Sequence, residues 1–234
     1  MSGRLRVAVV FPSFNEEANL ESTLERAFNA LEALDMPYEV VVVDDASTDG
    51  TPEVLRALAA TRPWLEVVRN PVNMGAGTSV LIGLKRASAD IVIHNSMDYP
   101  FDLLNLGDVL PLFPRCDVVA VVREDRSAHS AFRKLTSWVH HWLVRLLFRV
   151  PFRDMNFVQS HSRAAIAELS PRARSPAFVT PELLIRAQDL GMKVGQVKAT
   201  FYPRAQGRSS YGKPRDILWT LSDMLSFWWE RGRT

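Results

Sequence analysis

Two adjacent carboxylates, Asp44 and Asp45, stand at the end of the run VVVVDDASTDGT, residues 40–51. The β-branched run reads as a buried strand, and the polar, glycine-closed stretch after it as a turn. Acidic side chains at such a place suit ligand contact at the rim of a crevice. The alternative is a solvated turn that Asp49 and Gly50 merely close. Three further stretches follow apolar runs in the same way: residues 12–16 (PSFNE), 73–78 (NMGAGT) and 96–98 (SMD). Ligands of open parallel sheets bind just beyond the carboxyl ends of the strands. Four loops carrying carboxylates, amides and small residues would thus converge on one edge, which favours the crevice.

The elements that must position these loops are legible from periodicity. RVAVVFPSFNEE, YEVVVVDD, LEVVRN and DIVIHNS predict four strands. Between them lie three helical stretches. The first carries Leu20, Leu24, Ala27, Phe28, Leu31 and Leu34. The second covers residues 51–60, with Pro52 suited to its first turn. The third, TSVLIGLKRAS, is entered through the glycines of NMGAGT. This βαβαβαβ alternation predicts an α/β fold whose mostly parallel sheet is covered by helices on both faces, a three-layer αβα sandwich. After about residue 105 the chain changes character. It predicts a strand in CDVVAVVRED, a long helix over residues 131–150, a helix in ELLIRAQDLG after Pro181 and a strand in KVGQVKATFYP. A polar, basic loop, RAQGRSSYGK, then leads to a final helix, PRDILWTLSDMLSFWWE.

A chain of 234 residues can bury a sizeable core. Its 47% hydrophobic and 23% charged residues are ordinary for a globular protein, and a net charge of +2 does not indicate a nucleic-acid binder. The single Cys116 rules out an internal disulfide. No signal peptide is visible, and no apolar run reaches the ~18–20 residues that span a bilayer. The expectation is a cytoplasmic protein, with membrane contact only at the surface.

Together, VVFPSFNEEANL, VVVVDDASTDGT and NMGAGTSVLIGLKRASADIVI resemble the family-2 glycosyltransferases of the GT-A fold, and most of all their dolichyl-phosphate mannose synthase branch. The order Arg123, Arg133, Ser137, long helix, Asp154, Phe157 and the tail RAQGRSSYGKPRDIL fit the same branch, so the resemblance covers nearly the whole chain. It implies one GT-A domain over residues 1–234, with a nucleotide-sugar-binding half to residue 105 and an acceptor-binding half over residues 106–234 that ends in amphipathic helices. It also implies an inverting transfer of a sugar from a nucleoside diphosphate to a polyprenyl phosphate. Pro12, Phe14, Asn15, Glu16, Asp44, Asp45, Gly77 and Ser96 would surround the donor nucleotide. Phe14 stands where the family has Tyr, which keeps the aromatic face and loses the hydroxyl. Asp98, Arg123 and Asp154 would be catalytic. Arg133, Ser137, Arg204 and Arg208 would hold the acceptor phosphate, since guanidinium forks bind phosphate oxygens in pairs.

Family members carry Asp-x-Asp after the fourth strand, where two carboxylates hold Mg²⁺ or Mn²⁺ against the diphosphate. Such cations favour oxygen ligands. Here Asp98 keeps the second carboxylate and Ser96 replaces the first, with Asn95 and Asp102 near enough in sequence to compensate. Metal dependence stays open on these residues. A phosphate acceptor is already ionised and needs no strong base, whereas a hydroxyl acceptor would need one, for which Asp154 is the candidate. Two alternatives remain: a family-2 enzyme acting on a small hydroxyl acceptor, and a non-catalytic nucleotide-sugar binder with a degenerate metal motif.

The long helix carries Arg133, Ser137, His141, Arg145 and Arg149 at intervals of four, with Trp138, Trp142 and several aliphatic residues over the remainder. That pattern suits either a helix lying on an anionic membrane surface or an amphipathic helix packed on its own domain. Trp219, Phe227, Trp228 and Trp229 near the C-terminus add to the surface reading, and suit a dimer contact equally. His94, beside the expected donor site, is read as a strand residue.

Overall fold

The computed structural model describes residues 5–124, 131–200 and 214–233. Seven strands form one sheet in the order β3-β2-β1-β4-β6-β5-β7. Strands β1 (Val7–Ser13), β2 (Tyr38–Asp44), β3 (Leu65–Arg69) and β4 (Ile91–His94) run parallel, as their sequence pattern predicts. The helices between them are α1 (Glu17–Ala33), α2 (Thr51–Thr61) and α3 (Ala76–Arg86). Beyond a short α4 (Leu106–Val109), β5 (Val118–Arg123) leads to α5 (Ala131–Phe148). Then come β6 (Gln159–Ser162), α6 (Arg163–Glu168), α7 (Val179–Asp189), β7 (Val194–Ala199) and α8 (Pro214–Arg231).

Strands β1 and β2 are buried on both faces, which is why they read as unbroken apolar runs rather than alternating ones. Alternate residues serve different cores. Ala8, Val10, Val41 and Val43 pack with α3, α7 and α8, and Val7, Val9, Phe11, Val40 and Val42 with α1 and α2. Helix α3 lies close on the sheet because residue 83 is glycine: a methyl group there would stand 2.2 Å from Cγ1 of Val10.

The strand that the pattern misses is β6. Its sequence, QSHS, has no apolar period, yet it is buried and antiparallel to both β4 and β5. Helix α7 also starts at Val179, ahead of Pro181, which sits in its first turn. Among the described residues no helix is long and apolar enough to cross a membrane.

Candidate active site

The loops after β1 and β2 form one hydrogen-bonded plate. The Asp45 amide donates to the Ser13 carbonyl at 2.8 Å. Asn15, held at a positive φ of 54°, donates its amide to Ser47 Oγ (2.9 Å) and accepts the Thr48 amide on Oδ1 (2.8 Å). The Glu16 amide donates to Thr51 Oγ1 at 3.0 Å, and the Gly50 amide to Glu17 Oε2 at 2.9 Å. A positive φ is tolerated best by Gly and Asn, so Asn15 makes the turn and stitches it at once. Phe14, 42% exposed, is left standing out of the plate beside half-buried Pro12 and Glu16.

The two adjacent carboxylates divide their work. Asp44, 1% exposed, accepts the Ser47 amide at 3.0 Å and Nη1 of Arg69 at 2.7 Å, while Arg69 Nη2 donates to the Ser47 carbonyl. This pair forms one wall of an open cleft of about 620 Å³ that Ser47, Asp49, Pro52 and Arg56 also line. Asp45 turns the other way. Its Oδ1 accepts Asn70 Nδ2 (2.7 Å) and the Met74 amide (2.8 Å), and its Oδ2 accepts the Gly75 amide (2.7 Å). A carboxylate can end a buried strand because each of these oxygens is met by a donor. Asp45 is thus the fastener of the loop over residues 70–75. Gly77 lies beneath the segment after α6: a Cβ there would meet the Arg174 carbonyl at 2.5 Å and Val179 Cγ2 at 2.8 Å.

After β4, Met97 is buried and its carbonyl accepts Thr23 Oγ1 at 2.8 Å, which leaves Ser96 and Asp98 on either side of it partly exposed. Ser96 Oγ donates to the Asp98 carboxylate. Neither expected substitute for the missing carboxylate serves. Asp102 accepts Arg26 Nη2 at 2.6 Å and the Leu104 amide at 3.1 Å, and Asn95 is buried with its amide donating to the Phe101 carbonyl. Among the described residues no group of three His, Cys, Asp or Glu is placed to hold a metal ion. A hydroxyl and one carboxylate within hydrogen-bonding reach of each other are still two oxygen ligands. They fit a hard cation whose remaining ligands are phosphate oxygens and water.

On the other side of β4, Arg123 at the end of β5 grips Asp154 with both arms of its fork, Nε to Oδ2 at 2.8 Å and Nη2 to Oδ1 at 3.0 Å. Asp154 is 2% exposed, and the guanidinium also lies 5.1 Å from the centre of the Phe157 ring. Of the residues expected at the acceptor phosphate, Ser137 is half-buried on α5. Arg133 falls on the same helix, with its side chain outside the described part of the structure. Arg204 and Arg208 lie outside the described residues.

The sequence profile of Glycosyl transferase family 2 matches residues 8–169. The chain belongs to this family. Among family-2 relatives, the undecaprenyl-phosphate 4-deoxy-4-formamido-L-arabinose transferase of Pseudomonas paraeruginosa is 31% identical over 94% of this chain and 64% of its own length. The enzyme of the same name from Serratia proteamaculans is 33% identical over 88% of this chain and 63% of its own. Glycosyltransferase AglD of Haloferax volcanii is 27% identical over 97% of this chain and 37% of its own. The chain therefore spans between about a third and two thirds of the length of these relatives. The fold is that of glucosyl-3-phosphoglycerate synthase from Mycobacterium tuberculosis. Its complex with Mn²⁺, uridine-diphosphate-glucose and phosphoglyceric acid superposes with a TM-score of 0.71 at 22% identity, over 96% of this chain and 80% of that one. Its complex with Mn²⁺, uridine-diphosphate and phosphoglyceric acid gives 0.69 at 25% identity, over 96% and 78%.

Within this family-2 frame, sequence reasoning overlooked Arg69, the partner of Asp44, and Asn70, the partner of Asp45. Both follow directly from the register that sets β3 beside β2. It also passed over His161 on β6. His94 and His161 are buried on neighbouring strands, and burial pushes their imidazoles down to about 4 and about 3. The long helix is divided in a way that neither reading of its pattern foresaw. Val144 and Phe148 are buried, whereas Trp138, Val139, Trp142 and Leu146 are exposed. Helix α8 is split likewise, with Met224 and Phe227 inside and Leu218, Leu225, Trp228 and Trp229 outside.

Proposed function

We propose that this chain moves a sugar from a nucleoside-diphosphate donor to a polyprenyl phosphate. The observation that carries this acceptor over a hydroxyl is the state of Asp154. It is buried with both oxygens engaged by Arg123, so neither is open to an incoming hydroxyl, and an ionised phosphate needs no base. The names of the undecaprenyl-phosphate transferases point the same way. In this reading Phe14 offers its exposed face to the base, and Arg69, half exposed and anchored on the buried Asp44, offers a guanidinium at the cleft. An oxygen of the acceptor phosphate attacks the anomeric carbon. The bond from that carbon to the donor diphosphate breaks with inversion, and the electron pair leaves on the nucleoside diphosphate. Ser96 and Asp98 would hold a divalent cation together with that diphosphate. The cation would neutralise the charge that develops on the departing group.

The exposed aromatic and aliphatic side chains of α5 and α8, beside Arg145 and Arg149, fit a face resting on an anionic bilayer surface, where a lipid phosphate would be presented. The likeness to glucosyl-3-phosphoglycerate synthase, crystallised with phosphoglyceric acid, favours a second reading in which the acceptor is a small soluble acid. Rates of transfer to undecaprenyl phosphate in anionic vesicles, set against phosphoglyceric acid in solution, decide between them. Transfer confined to the soluble acceptor refutes the lipid-phosphate reading.

A further inference from the structure

Helix α8 reaches the turn that leads into α3. Its inner face is fixed by polar contacts as well as by Met224 and Phe227. Asp223 accepts the Arg174 and Ser175 amides at 2.9 and 2.8 Å, and Arg231 holds Asp189 with a two-armed contact of 2.6 and 2.8 Å. One helical turn before Asp223, on the same face, stands Trp219. Its half-buried indole closes over Gly75: a methyl group on that glycine would lie 3.2 Å from Cη2 and 3.7 Å from Cζ3. Gly75 has a φ of +85°, donates its amide to Asp45 and, through its carbonyl, accepts the first helical bond of α3 from Ser79. The turn is therefore held from two sides, by Asp45 from within the sheet and by the indole from outside. Two independent demands, the positive φ and the nearness of the ring, keep residue 75 a glycine.

We propose that Trp219 is a positioning residue for the donor: it buttresses the Gly75 turn, so that the loop over residues 70–75 stands ready at the crevice edge before the nucleotide arrives. The proposal rests on the family-2 donor reading of that crevice. It assigns the C-terminal helix a part in donor affinity that residues 8–169, the span of the family match, do not contain. A turn fastened only by Asp45 has to be ordered when the donor binds, and that cost appears in affinity rather than in the bond-making step.

The test uses the full chain, calorimetric titration with uridine diphosphate and Mn²⁺, and steady-state kinetics. Trp219→Ala should weaken uridine diphosphate about tenfold, equivalent to ~1.4 kcal/mol. It should raise the KM for the donor by a similar factor and leave kcat and the acceptor KM within about twofold. Trp219→Phe should restore most of the affinity, and Ser222→Ala, on an exposed part of the same helix, should change nothing. Should Trp219→Ala fail to fold, Trp219→Leu and Trp219→Phe are compared, with the donor KM rising in the order Trp, Phe, Leu. A donor affinity within twofold of wild type in the folded variants overturns the proposal, as does an equal rise in donor and acceptor KM. If wild type itself binds neither uridine nor guanosine diphosphate, the donor reading of the crevice falls and the proposal falls with it.

Discussion

Replacing Asp154 by asparagine separates a structural carboxylate from a catalytic one. The side chain is 2% exposed and the Arg123 side chain 13%, and both oxygens are engaged by the fork. Asp154→Asn removes the carboxylate charge from a largely buried guanidinium and sets an amide NH₂ against one of its N–H groups. Breaking a buried pair from one side costs about 3–5 kcal/mol. At about 2–4 °C per kcal/mol for a chain of this size, the melting temperature should fall by roughly 6–20 °C. Removing both charges in Arg123→Met/Asp154→Leu should recover most of that loss, because an apolar replacement of a buried pair is often neutral or better. Differential scanning calorimetry reads both variants. Initial rates of lipid-phosphate transfer are then taken well below the variant's own melting temperature. A folded Asp154→Asn should keep kcat within about tenfold of wild type, whereas loss of a general base costs about 10²–10⁴-fold. An unchanged melting temperature together with a hundredfold loss of kcat would refute the reasoning and make Asp154 the base.

Asp45→Ala should weaken uridine diphosphate binding and speed amide exchange at Met74 and Gly75, which lose their acceptor; unchanged exchange there, read by mass spectrometry, contradicts the fastening role. Asp98→Ala should abolish Mn²⁺ binding in the presence of nucleotide, measured by electron paramagnetic resonance, and full wild-type transfer in excess chelator would show that Asp98 holds no required cation. Stability should fall as pH drops below about 6.5, because the unfolded chain then binds protons that His94 and His161, at about 4 and about 3, refuse. Each contributes a slope of up to ~1.4 kcal/mol per pH unit until its folded value is reached. Urea titrations from pH 7 to 4 check this, and His161→Leu should flatten the dependence.

The parts legible from sequence were those whose signal is local. Runs such as VVVVDD announce strands buried on both faces, and strand ends in a parallel sheet announce the site edge, so the first four strands and the loops after them could be placed without coordinates. The long helix was visible from its periodicity, but not the division of its apolar residues between core and surface. That division depends on where α8 packs, far away in sequence. Strand β6 was invisible because its burial comes from its neighbours and not from its own side chains: Gln159, Ser160 and His161 look like a loop. The partners of the two carboxylates were hidden for another reason. Arg69 and Asn70 carry no motif, and only the alignment of β3 with β2 gives them their roles. The Arg123–Asp154 fork joins residues 31 positions apart that were both expected to be catalytic, with nothing in the sequence to pair them.

The reversed strand in the middle of the sheet also governs how the chain can be made. Strand β4 has β1 on one side and β6 on the other, and β6 leaves the ribosome some 65 residues later. Until then Ile91, Val92 and Ile93 form an open, uncharged sheet edge, of the kind on which nascent chains associate with one another. A fragment ending near residue 105 would thus have a raw flank and no strand of its own to cover it. Expressed alone, it should collect in aggregates rather than serve as a soluble nucleotide-binding fragment, and synthesis in the cell places a premium on chaperone cover across that interval.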